Sequence, residues 1–232
     1  MSYPGGKAGS GVYQQIINQI PPHQVYIEPF LGGGAVLLHK RPAWSSIGID
    51  SDAAVVAAWS LRDDLPLGAI VSCGDAISFL GARSWRGDEF VYADPPYLFE
   101  TRASGKIYNH EFGDVDQHTQ LLQVLLSLPC LVAISGYWSS LYADMLATWR
   151  TISYTTRTRG GRTVQEWLWM NYPEPIRLHD YRYLGDNFRQ RERLKRIRVR
   201  WLARLERMGT LERYALLSSI DEYSVEIHDH IA

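Results

Sequence analysis

The stretch from Val25 to Val36, VYIEPFLGGGAV, decides the fold of this chain. Its apolar first part predicts a β-strand, its three glycines predict a tight turn, and the apolar residues that follow predict the start of a helix. Glycines at such a turn let the backbone approach a nucleotide-like ligand, and the amino terminus of the helix supplies free N–H groups. A merely structural tight turn is the alternative interpretation.

Beyond this stretch, short apolar runs alternate with helical patterns such as Ala53–Leu61 and His118–Leu128. This alternation predicts βαβ units and an α/β fold with a mostly parallel sheet. The last two strands are separated by six residues, a length typical of a hairpin, so we predict an antiparallel terminal strand. After Val25–Glu28, the predicted strands are Ser46–Asp50, Ile70–Cys73, Phe90–Ala93, Leu131–Ser135, Thr151–Arg157 and Val164–Asn171.

The character of the sequence changes after Pro173 and Pro175. Residues 186–208 predict a helix that Asp186 or Asn187 can cap, and a second helix follows from Thr210. One face of the first helix carries apolar residues at intervals of three and four: Leu194, Ile197, Trp201, Leu205 and Met208. We therefore predict a catalytic domain over residues 1–175 and a basic helical extension over residues 176–232.

Charge is distributed unevenly along the 232 residues, whose net charge is −1. Residues 182–213 contain eleven basic and four acidic side chains, which indicates a localised surface for a polyanion. No apolar run approaches the roughly 18 residues of a membrane span, and no secretory signal is recognisable, so we expect a cytoplasmic protein. Cys73 and Cys130 both lie in apolar runs that are typical of strands, and we expect buried, inert thiols.

The segment Asp94-Pro95-Pro96-Tyr97 directly follows the predicted strand Phe90–Ala93. Two consecutive prolines neither continue a strand ladder nor start a helix comfortably, so they hold the chain extended at the strand's carboxyl end. Open α/β sheets bind ligands at this edge. The turn presents a carboxylate, a backbone carbonyl and an aromatic face, which together can accept hydrogens from an exocyclic amine and stack on a base. A proline-rich surface turn is the alternative.

Two further features are compatible with a nucleotide-like ligand. Asp50 ends the second predicted strand, where a carboxylate can accept hydrogen bonds from both hydroxyls of a ribose. Together with the glycine turn alone, it would suit an NAD-binding dehydrogenase nearly as well. Near the amino terminus, Lys7 follows two glycines, and its ammonium can bind a small anion such as an amino-acid carboxylate.

In this order, YPGGK (3–7), EPFLGGG (28–34) and DPPY (94–97) resemble the D12 class of Dam-like DNA adenine-N6 methyltransferases, particularly short phage- and prophage-type members. The resemblance extends from Tyr3 to about Ala215. It implies a Rossmann-like S-adenosylmethionine-dependent methyltransferase fold and methylation of a flipped adenine in double-stranded DNA. Larger members place a target-recognition domain between the glycine turn and the Asp-Pro-Pro-Tyr turn. Here that gap is only about 57 residues, so we expect a short or loosely specified target.

The resemblance also implies roles for individual residues. Tyr3 and Lys7 would flank the methionine part of the cofactor, Asp50 would bind the ribose hydroxyls, and Asp75 would bind the cofactor's adenine. The residues implied to be catalytic, because they hold the target base, are Asp94, Pro95, Pro96 and Tyr97. The residues implied to bind the cofactor are Tyr3, Lys7, Glu28, Phe30, Gly32, Gly33, Gly34, Asp50, Asp75 and Asp94.

Three segments are candidates for DNA contacts. Residues 99–112 follow the catalytic turn directly, as a base-flipping or DNA-clamping loop would. The predicted hairpin and the basic helix carry arginines, for which a phosphate contact or simple solvation is favoured over base readout. The candidate residues are Arg102, Lys106, Tyr108, Arg157, Arg159, Arg162, Arg189, Arg193, Lys195 and Arg196.

The predicted reaction is direct transfer of a methyl group from the sulfonium to adenine N6, which needs neither a catalytic cysteine nor a metal. No His/Cys cluster has the spacing of metal ligands. The same fold acting on cytosine N4 or on RNA adenine, a dinucleotide oxidoreductase, and a non-catalytic DNA-binding protein are the alternatives. Asp rather than Ser before Pro-Pro-Tyr favours adenine by resemblance. The sequence predicts neither the oligomeric state nor the target sequence.

Overall fold

A computed structural model describes Lys7, Gly9 and residues 11–98, 112–157 and 161–231, with side chains described up to residue 224. Within these residues the strands are β1 (Val25–Glu28), β2 (Ser45–Asp50), β3 (Ala69–Cys73), β4 (Glu89–Ala93), β5 (Leu131–Gly136), β6 (Arg150–Arg157) and β7 (Thr163–Met170). The helices are α1 (Val12–Ile17), α2 (Ala35–His39), α3 (Ala53–Ser60), α4 (Ala76–Ala82), α5 (Val115–Ser127), α6 (Ser140–Met145), α7 (Phe188–Arg207) and α8 (Thr210–Ile231).

The strands form one sheet in the order β3-β2-β1-β4-β5-β7-β6. Strands β1 to β5 pair in parallel, whereas β7 runs antiparallel to both β5 and β6. The α/β fold with an antiparallel terminal strand is therefore confirmed, and every predicted strand begins and ends within one residue of the observed one. The hairpin folds back so that β7, the last strand in the chain, lies inside the sheet and β6 occupies the edge.

The central strands are covered on both faces, which explains their continuous apolar runs. In β1 and β4 every residue is buried, and successive side chains point to opposite faces. Tyr26 and Phe90 pack in the core on one face. Ile27 and Val91 pack in the core on the other face, against α5. Because successive side chains alternate between the faces, each of these two strands contributes residues to both hydrophobic cores.

The strand order also defines where a ligand can bind. The chain continues from β1 to β2 on one side, and β4 pairs with β1 on the other. In open α/β sheets, ligands bind at the carboxyl ends of strands where the order reverses in this way. The glycine turn follows β1, Asp50 ends β2, and Asp94 follows β4. These three features therefore share one edge of the sheet.

The two cysteines lie in different environments. Cys130 is buried as expected, and burial raises the pKa of its thiol to about 12. The expectation of a buried thiol was wrong for Cys73, which is exposed. It ends β3, which pairs only with β2 at the edge of the sheet, and every residue of β3 is exposed or half-buried. An apolar run alone does not distinguish an edge strand from a central one.

The chain divides into two compact units, Met1–Tyr183 and Leu184–Ala232. The division between these units falls after Tyr183, and the assignment of residues 1–175 to a catalytic domain and of residues 176–232 to a helical extension stays a prediction. Residues just before this division contact the segment that follows α2, because the carboxylate of Asp180 accepts a hydrogen bond from the backbone N–H of Arg41 at 2.8 Å. The ring of His179 donates to the carbonyl of Arg41 at 3.0 Å.

In the second unit, Asn187 caps α7 by accepting a hydrogen bond from the backbone N–H of Gln190 at 3.0 Å. No residue of α7 is buried, and Trp201, in its predicted apolar face, is 53% exposed. α8 begins at Thr210, as predicted. Among the described residues, no helix is both long and apolar enough to span a membrane.

The imidazole of His23, between α1 and β1, gives rise to a pH prediction. It stacks on the ring of His179 with 3.9 Å between the ring centroids, and His23 is 8% exposed. Burial, reinforced by the nearby His179 and Lys40, lowers the pKa of His23 from 6.5 to about 3. Since the folded pKa lies below the unfolded one, the stability that neutral His23 contributes is present above pH 6.5 and is lost as the pH falls towards 3.

We therefore expect His23→Phe to weaken the acid sensitivity of folding. Between pH 6 and pH 4, the wild type should lose about 1.4 kcal/mol of unfolding free energy per pH unit more than the variant. Urea unfolding at pH 7, 6, 5 and 4 measures this. The difference at pH 7 reports the altered packing, and only its change with pH reports protonation. Parallel pH dependences would contradict the prediction.

Candidate active site

Asp94 stands where β4 ends and the two prolines turn the chain away from the sheet. Its side chain is 17% exposed. Its Oδ1 atom accepts hydrogen bonds from the hydroxyl of Ser135 at 2.9 Å and is 2.8 Å from the ammonium of Lys7. The parallel register that places Ala93 beside Ile134 brings Asp94 next to Ser135 at the end of β5.

The buried hydroxyls of Tyr92 and Ser135 form a hydrogen-bonded chain that ends at the Asp94 carboxylate. Ser135 and Tyr92 are both fully buried, and their hydroxyl oxygens are 2.9 Å apart. Because Ser135 donates its single hydrogen to Asp94, Tyr92 must donate to Ser135. Burial raises the pKa of Tyr92 well above its usual value, so this donor stays protonated. The chain of donors fixes one face of the Asp94 carboxylate.

Lys7 brings the amino-terminal segment into the same site. Besides Asp94, its ammonium donates a hydrogen bond to the hydroxyl of Tyr97 at 2.5 Å and lies 3.4 Å from a carboxylate oxygen of Glu166. Lys7 is only 5% exposed. Burial alone would lower the pKa of this lysine, but the carboxylates of Asp94 and Glu166 outweigh burial and raise it well above the usual value. Lys7 is therefore charged.

Tyr97 contributes an aromatic ring to the site. The ammonium of Lys7 lies 4.9 Å from the centroid of this ring. The ring of Tyr137, just beyond β5, is tilted by 59° at a centroid distance of 4.5 Å. Lys7 therefore contacts both ends of the predicted catalytic segment, Asp94 and Tyr97.

His118 holds the proline turn from α5. His118 is 1% exposed. Its Nε2 atom is 3.1 Å from the carbonyl oxygen of Pro96, and its Nδ1 atom is 2.8 Å from the hydroxyl of Tyr142. A carbonyl only accepts, so Nε2 carries a hydrogen and donates it to Pro96. The imidazole therefore connects the turn to Tyr142 of α6.

We expect His118→Ala to lower kcat about tenfold, because the turn that carries Asp94 loses its anchor and misplacement by a fraction of an ångström is costly. His118→Gln can still donate from its amide to Pro96 and should retain most of the activity. Steady-state kinetics of both variants, with circular dichroism to verify folding, make the comparison. Equal losses in the two variants would show that packing rather than the donor matters.

The glycine turn after β1 has the conformation that requires glycine. Gly32 and Gly34 have φ values of 45° and 53°, in the left-handed region. The backbone N–H of Gly32 donates to a carboxylate oxygen of Asp50 at 2.8 Å, and the other oxygen accepts from the backbone N–H of Asp52 at 2.9 Å. The indole N–H of Trp59 donates to the carbonyl of Gly32 at 2.8 Å. The turn is thus fastened to β2 and α3, while Gly33 is exposed.

Glu28 lies beneath the turn. It is 3% exposed, and one carboxylate oxygen accepts from the hydroxyl of Tyr26 at 2.8 Å and from the backbone N–H of Leu37 at 3.2 Å. Burial raises the pKa of Glu28 to about 8. Its observed contacts therefore hold the start of α2. Phe30, by contrast, is half-buried on the turn itself, 5.2 Å from the ring of Phe112.

Asp75 caps the amino terminus of α4, accepting a hydrogen bond from the backbone N–H of Ser78 at 2.8 Å. Its side chain is exposed beyond the end of β3. Its position after β3 therefore places it at the same carboxyl edge as Asp50. Each oxygen of the Asp75 carboxylate has two lone pairs and can accept two hydrogen bonds.

The remaining predicted site residues are less informative. Tyr3, Arg102, Lys106, Tyr108 and Arg159 lie outside the described residues. Arg157 and Arg162 are exposed on either side of the β6–β7 connection. The exposed basic residues on α7, within the second unit, are Arg189, Arg193, Lys195 and Arg196.

Sequence reasoning assigned no role to four residues that complete the cluster: Tyr92, His118, Ser135 and Glu166. Tyr92 and Ser135 belong to apolar strand runs, where a hydroxyl at the carboxyl end is the only available signal. Among the described residues, no group of three or more His, Cys, Asp or Glu side chains has the arrangement of a metal site.

No protein-family model and no curated protein sequence matches this chain. Solved structures with a similar architecture include a precorrin-8W decarboxylase from Methanobacterium thermoautotrophicum (12% identity, 72% of this chain and 91% of that one, TM-score 0.46). Others are a precorrin-6y C5,15-methyltransferase from Geobacter metallireducens (5%, 74% and 93%, TM-score 0.47) and an S-adenosylmethionine-dependent methyltransferase from Methanosarcina mazei (9%, 67% and 95%, TM-score 0.45). Similarity at this level concerns the arrangement of strands and helices and does not bear on the substrate.

Proposed function

We propose that this chain is an S-adenosylmethionine-dependent methyltransferase that acts on the N6 amino group of adenine in double-stranded DNA. The observation that carries the proposal is the Asp94 carboxylate at the end of β4, which is 17% exposed and is held by the hydroxyl of Ser135 at 2.9 Å. A fixed, partly exposed carboxylate at this edge of the sheet is suited to accept hydrogens from an amino group.

The residues at the sheet edge fit the proposed cofactor chemically. The half-exposed ring of Phe30 and the exposed Gly33 offer an apolar surface and an open backbone at the turn. Asp50 and Asp75 are acceptors for the hydroxyls of a ribose and the amino group of an adenine, respectively. The Asp75 carboxylate keeps lone pairs beyond its bond to the backbone N–H of Ser78. When bound, S-adenosylmethionine supplies an electrophilic methyl group.

The chain's own residues would prepare the amino group that receives the methyl. An adenine amine is a poor nucleophile because its lone pair is delocalised into the ring. Asp94 and a backbone carbonyl of the turn would draw its two hydrogens outward and favour the tetrahedral nitrogen. His118 already occupies the carbonyl of Pro96, so the carbonyl of Pro95 is the acceptor that we assign to the amine. The fixed donors behind Asp94 keep that acceptor in place without reorganisation.

The aromatic residues of the site fit a base taken out of the DNA stack. An enzyme that modifies a base inside a duplex extrudes it into a pocket, where aromatic side chains stack on it. Tyr97 is half-buried, and Tyr137 lies beside it. The exposed arginines around the β6–β7 connection and on α7 would supply phosphate contacts, and we therefore expect binding to weaken as salt increases.

The test is incubation of the purified protein with labelled S-adenosylmethionine and unmethylated double-stranded DNA, with RNA in parallel, followed by nucleoside analysis by mass spectrometry. N6-methyladenine in DNA is the expected product. N4-methylcytosine, or label in RNA only, would retain the chemistry and replace the substrate. Cofactor binding without transfer to any nucleic acid would contradict the proposal and favour a DNA-binding protein. Binding of a nicotinamide dinucleotide instead would favour an oxidoreductase.

A further inference from the structure

The ammonium of Lys7 lies between two carboxylates that are not equivalent. It is 2.8 Å from Oδ1 of Asp94 and 3.4 Å from Oε2 of Glu166 on β7. Glu166 is 7% exposed, and among the described residues its Oε2 atom is buried without a hydrogen-bond partner. Buried polar atoms are nearly always bonded, so such an atom needs an explanation. A vacant acceptor therefore adjoins an ammonium that is bonded elsewhere.

The position of Lys7 creates a conflict for the proposed reaction. An ammonium at 2.8 Å neutralises the Asp94 carboxylate, which then attracts the hydrogens of a neutral amine only weakly. Leaving Asp94 without a replacement partner would strand a buried positive charge, which is strongly unfavourable. Lys7 can release Asp94 at low cost only if a second carboxylate receives it.

We propose that Glu166 is a positioning residue that receives the Lys7 ammonium when a target amino group binds Asp94. The inference rests on the proposed function, because it concerns the amine substrate of that site. The ammonium has to shift by a fraction of an ångström towards Glu166 and to align with Oε2. Asp94 then carries its full negative charge towards the substrate, and Ser135 continues to hold it in place.

The surroundings of Glu166 are suited to this role. Tyr154 of β6 is paired directly with Glu166 in the antiparallel register and is 4% exposed. Its hydroxyl is also buried, and it makes no hydrogen bond of good geometry to a described residue. Burial raises the pKa of Tyr154 well above its usual value, and the contact of its hydroxyl with Glu166 contributes to this rise. The hydroxyl therefore stays neutral and adds no charge that would attract the ammonium away from Glu166.

The experiment is a double-mutant cycle of Glu166→Gln and Lys7→Met, with methyl transfer measured under steady-state conditions. Glutamine keeps the shape of the side chain and removes its charge. We expect Glu166→Gln to lower kcat about tenfold with little change in the KM for cofactor, an effect within the usual range for interaction between residues in contact. In the Lys7→Met background the same substitution should have almost no effect, because no ammonium remains to be received.

Glu174→Gln, the same change at an exposed glutamate, is the matched control. A merely structural role for Glu166 would give the same loss in both backgrounds and would overturn the inference. So would an unchanged kcat in Glu166→Gln, or a Lys7→Met variant whose only defect is a raised KM for cofactor. If Glu166→Gln fails to fold, Glu166→Asp, which moves the carboxylate away from Lys7, replaces it. A wild type that methylates no adenine would overturn the proposed function instead, independently of the cycle.

Discussion

Replacing Asp94 by alanine is expected to lower methyl transfer to adenine by about a thousandfold or more. The substitution removes the charged acceptor that would draw the amine's hydrogens outward, and losses of this order follow removal of a single preorganised group from an active site. Asparagine at this position keeps one acceptor oxygen without the charge. We therefore expect Asp94→Asn to retain more activity than Asp94→Ala, while remaining far below the wild type.

The measurement is single-turnover methylation of DNA at saturating cofactor, which isolates the methyl-transfer step from product release. Asp144→Asn and Asp144→Ala on α6 are matched controls, because this aspartate is exposed. Circular dichroism should verify folding, since Asp94→Ala also leaves Ser135 and Lys7 without their shared partner. Methylation at the wild-type rate by Asp94→Ala would refute the assignment of this residue.

The local elements of this fold follow directly from the sequence. Each strand is a run of four to eight residues, and the central strands β1, β4 and β5 are mostly apolar. The loop lengths require parallel pairing up to β5 and a hairpin between β6 and β7. The insertion of β7 between β5 and β6 does not follow, because either strand of a hairpin can pair with the existing edge. The exposure of Cys73 escaped prediction for the related reason that strand order decides which run lies at the edge.

The candidate site was predictable only where one segment carries the chemistry. The Asp-Pro-Pro-Tyr turn and the glycine turn are local, and their positions after β4 and β1 follow from the strand pattern. Glu166 is different, because it reaches Lys7 only through the position of β7 in the sheet. The role of His118 was likewise not predictable from the sequence. Its role depends on the packing of α5 under the proline turn, which a helical pattern does not specify.

Gly34→Ala is expected to have the second-largest effect, and it acts through structure rather than chemistry. A Cβ atom at this position would lie 2.3 Å and 2.6 Å from two carbons of the Trp59 ring, and the backbone φ of +53° is unfavourable for alanine. Overpacking and backbone strain together should lower the free energy of unfolding by about 3 kcal/mol. Because the displaced indole also bonds the carbonyl of Gly32, we expect cofactor affinity to fall as well. Urea unfolding and isothermal titration calorimetry measure the two effects.

Gly81→Ala in α4 is the control, since a Cβ there meets nothing within 4 Å, and alanine favours a helix. The two causes of the Gly34 effect can also be separated. Trp59→Phe removes the part of the ring that the new Cβ would strike, so Gly34→Ala should cost less in that background if overpacking dominates. An equal cost in both backgrounds would assign the loss to the left-handed backbone instead. No loss of stability in either background would mean that the turn does not depend on glycine at position 34, and the description of its conformation would be wrong.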